Sequence, residues 1–175
     1  MIETLYHNEW LSLKRVCVPE RGINGYVFSH EERCRGEIIA VLLFRYIESG
    51  VEYGLRCECT PCWAVDTPIP SALTGGVEKD STPIQTLWVE IREESGYRHL
   101  TKLHTLGECR GTKSTDTIYY LYGADVTGID PGEAEGDGSR LEAEASIMWT
   151  MNPVWSSPDP LVGMLVARLQ GYLKH

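Results

Sequence analysis

The chain has 175 residues, 42% of them hydrophobic, and carries 16 Lys and Arg against 25 Asp and Glu, a net charge of -9. A single domain of that length hides about 70% of the surface of its unfolded chain and needs no covalent staples. The acidic balance argues against a protein whose main business is the phosphate backbone of long nucleic acid. No apolar run approaches the roughly 20 residues of a membrane span, and the N-terminal stretch lacks the uninterrupted apolar segment of a secretory signal. The expectation is a cytosolic protein of one domain, residues 1–175, whose six cysteines are thiols.

In chain order, Trp10 to Val18 alternates weakly and predicts a first strand. Gly22 and Gly25 mark turns, and Tyr26 to His30 predicts a second strand, so residues 1–36 read as an N-terminal β-hairpin region. Glu37 to Ile47, EIIAVLLFRYI, is nearly continuous in apolar residues and rich in β-branched ones, the pattern of a central strand buried on both faces. Glu48-Ser49-Gly50 turns the chain into a strand over Val51 to Thr60. Pro61 to Leu73, with three prolines, reads as a connecting loop. Cys57, Cys59 and Cys62 crowd together, but zinc ligands are spaced more widely and need a fourth group, so reduced thiols are expected.

The stretch from Gly75 to Tyr97, GGVEKDSTPIQTLWVEIREESGY, reads as a glycine loop feeding a short acidic helix. Thr82 suits the N-cap, Pro83 the first helical position, Gln85 the capping box and Gly96 the stop. Ile84, Leu87, Trp88 and Ile91 recur at helical spacing and predict an apolar stripe. Glu90, Glu93 and Glu94 fall at i, i+3 and i+4 and cluster on a different face, where like charges repel unless a cation sits among them. Hard divalent cations such as magnesium take oxygen ligands and often bind phosphate at the same time.

Beyond the helix, Leu100 to Arg110 and Thr117 to Val126 predict a strand pair around a polar loop. Arg110, Lys113 and Ser114 beside that loop are candidates to hold a phosphate or ribose, and Arg56 is a further one. A stretch dense in glycine and acid, Thr127 to Arg140, leads to a strand ending near Trp149-Thr150. A last helix starts at about Asp159 with Pro160 in its first turn. Strands, a helix, strands and a helix define an α+β chain with a mixed sheet packed between helices.

Residues 75–97 resemble the signature of the Nudix hydrolases. Gly75 takes the opening glycine, Glu90 the glutamate that follows an arginine, Glu93 and Glu94 the paired glutamates, Gly96 the closing glycine and Tyr97 the final apolar place. Two positions depart: Ser81 stands where the pattern has its first glutamate, and Val89 where it has the arginine that orients the neighbouring glutamate. The resemblance implies a Nudix-like α/β/α sandwich and hydrolysis of the diphosphate linkage in a nucleoside diphosphate joined to another group. It implies Glu90 and Glu94 as principal ligands of magnesium or manganese, Glu93 as a ligand, bridge or participant in catalysis, and the Thr74 carbonyl as a further ligand.

The N-terminal hairpin is similar to that of the ADP-ribose pyrophosphatase branch. That branch implies a homodimer built through the hairpin, an aromatic stacking on adenine, here Tyr26 or Phe28, and a general base from a late loop. The matching loop is Asp130 to Gly138, with Glu135 the first choice for the base and Glu133 the second. A proline common in that branch about 16 residues after the closing glycine is replaced here by Thr112, which leaves nucleotide sugars and dinucleoside diphosphates open beside ADP-ribose. Two other readings stay open. One is a Nudix fold kept as a nucleotide sensor, favoured by Ser81 and Val89 and opposed by the three retained glutamates. The other is RNA-end hydrolysis, held back by the acidic balance.

Overall fold

A computed structural model describes residues 1–64, 66–136 and 145–174. The chain runs β1 (Ile2–His7), β2 (Leu11–Val18), β3 (Ile23–Glu31), β4 (Glu37–Ile47), β5 (Gly50–Glu58), β6 (Ile69–Ser71), β7 (Leu73–Gly76), α1 (Pro83–Ser95), β8 (Lys102–Arg110), β9 (Ile118–Asp125), β10 (Ser146–Thr150), α2 (Pro153–Ser156) and α3 (Pro160–Leu173).

The larger sheet has the order β10-β5-β4-β9-β8, with β6 added beside β5 and β7 beside β4. Its pairings are antiparallel except β4 with β9, which are parallel in the register Glu37↔Ile118 to Phe44↔Asp125, so the sheet is mixed. Strand β4 is its axis. Every side chain from Ile39 to Phe44 is fully buried, and the two-residue period of a strand divides them between two cores. Ala40, Leu42 and Phe44 pack with Val162, Leu165 and Leu169 of α3, while Ile39, Val41 and Leu43 pack with Leu87 and Ile91 of α1. The result is helix, sheet, helix: an α/β/α sandwich.

Three sequence expectations need correction. The N-terminal region is a three-stranded antiparallel sheet, not a two-stranded hairpin. Every residue of β1 is exposed, so it carries no burial pattern to read. The proline-rich connection contains β6 and the start of β7, whose pairing with Arg56 to Glu58 and with Ile38 to Val41 is long-range and leaves no local signal. In α1 the apolar stripe is half as wide as its spacing predicts. Leu87 and Ile91 are fully buried, but Ile84 and Trp88 stand about 40% exposed because they turn off the face that meets β4 and β7.

The small sheet docks through the β8–β9 loop. Ser29 N donates to the Ser114 carbonyl at 2.8 Å, and His30 Nδ1 lies 2.9 and 3.0 Å from the two Asp116 carboxylate oxygens. Among the described residues no helix is long and apolar enough to cross a membrane.

Candidate active site

Helix α1 starts where its capping chemistry places it. Thr82 Oγ1 accepts from Gln85 N at 3.4 Å, and Gln85 Oε1 accepts from Thr82 N at 2.9 Å, which satisfies two of the amide donors a helix start leaves over. Pro83 at the first position has no amide to satisfy. The helix then lies along β7 and β4 and turns its acidic face toward the Thr74-Gly75-Gly76 segment.

Gly75 has a steric reason to be glycine. A Cβ there would fall on Cγ, Cδ and Oε1 of Glu90, so the glutamate side chain occupies the volume that any other residue at this position would claim. Gly96 closes the helix in the left-handed conformation, φ 75°, and donates to the Arg92 carbonyl at 3.0 Å. A Cβ on Gly96 would also collide with the Gly132 carbonyl.

Between α1 and the β3–β4 corner lies a cleft of about 550 Å³. Thr74, Gly75, Glu90, Glu93 and Glu94 form one wall of it, Glu31, Arg33 and Cys34 another, and Glu78, Ser81 and Val89 also line it. Thr86 Oγ1 is buried beside it with no hydrogen-bond partner among the described residues, a polar atom available to water or ligand. Burial, with the Glu31 carboxylate second, pushes the Cys34 thiol up, which makes it a poor nucleophile.

Three carboxylates and a main-chain carbonyl are an all-oxygen donor set, the kind that hard divalent cations select. Among the described residues no three His, Cys, Asp or Glu side chains are drawn close enough to enclose an ion by themselves. The all-oxygen chemistry of the donor set is the basis of the fit, since magnesium takes one or two carboxylates and keeps several waters beside substrate phosphate. The residues present therefore fit magnesium or manganese.

Arg56 lies behind this wall rather than in it. Its side chain is 4% exposed. Nε donates to Glu58 Oε2 at 2.8 Å and lies 3.6 Å from Glu94 Oε2, and Nη1 donates to the main-chain carbonyl of Glu94 at 2.8 Å. It does not line the cleft, where its sequence-based candidacy was for substrate.

The late acidic loop docks on the C-terminal end of α1. Gly132 N donates to the Gly96 carbonyl at 3.0 Å and Gly136 N to the Glu93 carbonyl at 2.9 Å. Glu135 is held by Arg98 Nη2 at 2.7 Å and by Arg92 Nε at 3.5 Å. Glu133 is exposed, and neither glutamate lines the cleft. Asp137 and Gly138, the end of that loop as read from sequence, lie outside the described residues.

Tyr26, Phe28, Arg110 and Lys113 are brought together, but elsewhere. They line a second, largely apolar hollow of about 390 Å³ between the small sheet and the β8–β9 loop, where the Tyr26 hydroxyl donates to the Lys113 carbonyl. Ser114 turns its carbonyl to Ser29 and pairs its hydroxyl with Thr112 at 2.7 Å, so its polar groups hold the loop. Sequence reasoning missed Glu31, Arg33 and Cys34 as cleft residues. The only available signal was their place in a charged turn between two strands, which is also what a solvated turn looks like.

No protein-family model matches the sequence, and no curated protein matches it. Solved structures do. A protein described as an ADP compounds hydrolase superposes with a TM-score of 0.72 at 14% identity, over 99% of this chain and 92% of that one. A Nudix hydrolase from Listeria monocytogenes gives 0.60 at 16% identity, over 78% of this chain and 93% of that one. The Nudix domain of Shewanella oneidensis NrtR, solved with ADP-ribose, gives 0.60 at 12% identity, over 78% and 87%. The chain has the Nudix fold.

Proposed function

We propose that this protein is a metal-dependent pyrophosphohydrolase that cleaves the diphosphate linkage of a nucleoside diphosphate joined to another group, with ADP-ribose or a related nucleotide sugar as the favoured class. The observation that carries the reading is the gathering of the Thr74 segment, Glu90, Glu93 and Glu94 on one cleft, with Gly75 kept bare so that Glu90 can lie against it. The fold is shared with a protein described as an ADP compounds hydrolase and with a domain solved with ADP-ribose, which supports the substrate class.

Magnesium or manganese bound to Glu90, Glu94 and the Thr74 carbonyl would neutralise phosphate charge and make a bound water a better nucleophile at neutral pH. The protein's own residues supply the rest. Arg33 is a cation in a cleft whose other charged lining residues are carboxylates; its guanidinium carbon lies 5.3 Å from the Trp10 ring centroid, and it is the candidate to meet a phosphate oxygen. The proton of the attacking water needs a carboxylate acceptor within reach. Glu93 lines the cleft, with Arg92 Nη2 donating to its Oε1 at 3.2 Å, whereas Glu135 does not line it and is paired with Arg98 as well as Arg92, so Glu93 is the first choice for that role.

Tyr26 and Phe28 offer aromatic surface for a base in the second hollow, with Arg110 and Lys113 at its rim. One face of the small sheet leaves Tyr6, Leu11, Leu13 and Val27 more than a third exposed, apolar surface of the kind that a second copy of the chain covers in a homodimer. A cytosolic protein with a small nucleotide substrate and no nucleic-acid partner completes the reading.

A nucleotide sensor without turnover is the second reading. It is favoured by Ser81 and Val89, two departures from the signature that line the same cleft. One experiment separates the two: product release from ADP-ribose, nucleotide sugars, dinucleoside polyphosphates and capped RNA, each with magnesium, manganese or chelator. Chelator-sensitive cleavage of one class establishes the hydrolase. Binding of a nucleotide with no cleavage under any metal establishes the sensor.

A further inference from the structure

We propose that Arg56, on strand β5, is the positioning residue of the acidic helix, fixing Glu94 from behind the metal wall; the inference rests on the metal-site reading above. A guanidinium with 4% of its side chain exposed has little water to turn to, so its partners account for its placement. Two of its nitrogens meet the same residue. Nη1 donates to the main-chain carbonyl of Glu94 at 2.8 Å, and Nε lies 3.6 Å from that residue's carboxylate. The first contact satisfies a carbonyl in the last turn, where a helix runs out of its own donors. The second restrains the side chain, which is itself only 10% exposed. One guanidinium thereby holds the main chain by a hydrogen bond and the carboxylate by charge.

The fork is anchored in turn. Glu58 Oε2 accepts from Nε at 2.8 Å, and the Arg56 backbone lies inside the sheet, opposite Ile147 of β10 on one side and Ser71 of β6 on the other. A side chain rooted in the middle of a sheet and braced by a carboxylate is a stiff support, which is what an outer-shell group needs if it is to aim a ligand. Val89 gives no such support from the helix. It is apolar and 41% exposed, at the place where the signature has an orienting arginine. The role has moved from the helix to the sheet, and from Glu90, which is already packed on Gly75, to Glu94.

The test is manganese binding to the whole chain without substrate, by calorimetric titration and by the spin-resonance signal of the bound ion, in wild type, Arg56→Met and Arg56→Lys. Melting temperatures in chelator serve as the control for the fold. Loss of an outer-shell partner lowers metal affinity by about 10–100-fold, which is the expectation for Arg56→Met. Arg56→Lys should recover part of it, since an ammonium supplies the charge but not the fork. Should Arg56→Met not fold, Arg56→Lys alone carries the test, with an expected loss of about threefold or more. Manganese affinity within about twofold of wild type in a folded variant overturns the inference, even if its melting temperature has dropped, because a merely structural arginine would move only the latter. Wild type that binds no manganese overturns the metal-site reading itself, so the two failures are distinct.

Discussion

Gly75 and Glu90 are fitted to each other: the glutamate carboxyl fills the space in which a side chain on Gly75 would stand. The two belong to different elements, the end of β7 and the third turn of α1, and the close approach holds the carboxylate against a segment that lines the cleft.

Gly75→Ala should therefore damage function more than fold. The atoms in the way belong to a flexible side chain, which can swing aside, so the expected cost is about 1 kcal/mol, or roughly 2–4 °C in melting temperature. The carboxylate that swings is a proposed metal ligand, and displacing such a group by about an ångström costs about 10²-fold in rate. Thermal melting and metal-dependent turnover measured on one preparation check both halves. A collapse in stability with unchanged specific activity would reverse the argument.

The base assignment separates Glu93 from Glu135. Removing a general base typically costs about 10²–10⁴-fold in kcat. That loss is expected for Glu93→Gln, which faces the cleft. Glu135→Gln breaks the ion pairs with Arg98 and Arg92, which lie at the partly exposed end of the helix, and is expected to cost about tenfold or less. The opposite ranking in single-turnover rates would show that the loop leaves those arginines and delivers Glu135 to the substrate.

What could be read from the sequence is what local chemistry decides. Thr82, Pro83, Gln85 and Gly96 act within one turn of helix, and each sits where its pattern places it. The run through β4 was legible because both faces of that strand are buried, which leaves no polar residue between Ile38 and Phe44. Strand β1 was not legible, since all of it is exposed. The partners of Arg56 were beyond reach for another reason: Glu94 lies 38 residues away, and only the packing of β5 behind α1 brings the two together. In the same way the His30–Asp116 pair spans 86 residues and depends on how the small sheet docks.

His104 makes stability depend on pH in a definite direction. The ring is buried, with Tyr172 at 5.0 Å and Phe44 at 5.8 Å between ring centroids. Burial first, then Lys102, lowers its pKa below the ordinary value, and Asp125 opposes them more weakly. The unfolded chain thus takes up the proton near pH 6.5 while the folded chain does not. Stability is full above about pH 6.5 and falls with acidification until the lowered folded pKa is passed. Melting curves from about pH 8 to 5 should show this decline, and His104→Leu should flatten its upper part. An equal slope in the variant would move the effect to other groups.

Val89→Arg restores the signature at an exposed position, and its outcome depends on what already aims the glutamates. At 41% exposure the valine is not a core residue, so the melting temperature should stay within roughly 2 °C. An arginine there would lie four residues before Glu93, close enough to pair with it on the helix surface for about 0.3–0.5 kcal/mol. If Glu90 is already seated on Gly75 and Glu94 already held by Arg56, a further orienter has little left to correct, and kcat should rise by less than about tenfold. A larger rise would mean that the missing arginine limits turnover. A marked fall in melting temperature would instead identify Val89 as part of the packing of the cleft wall, and steady-state rates with melting curves on the same variant distinguish the three.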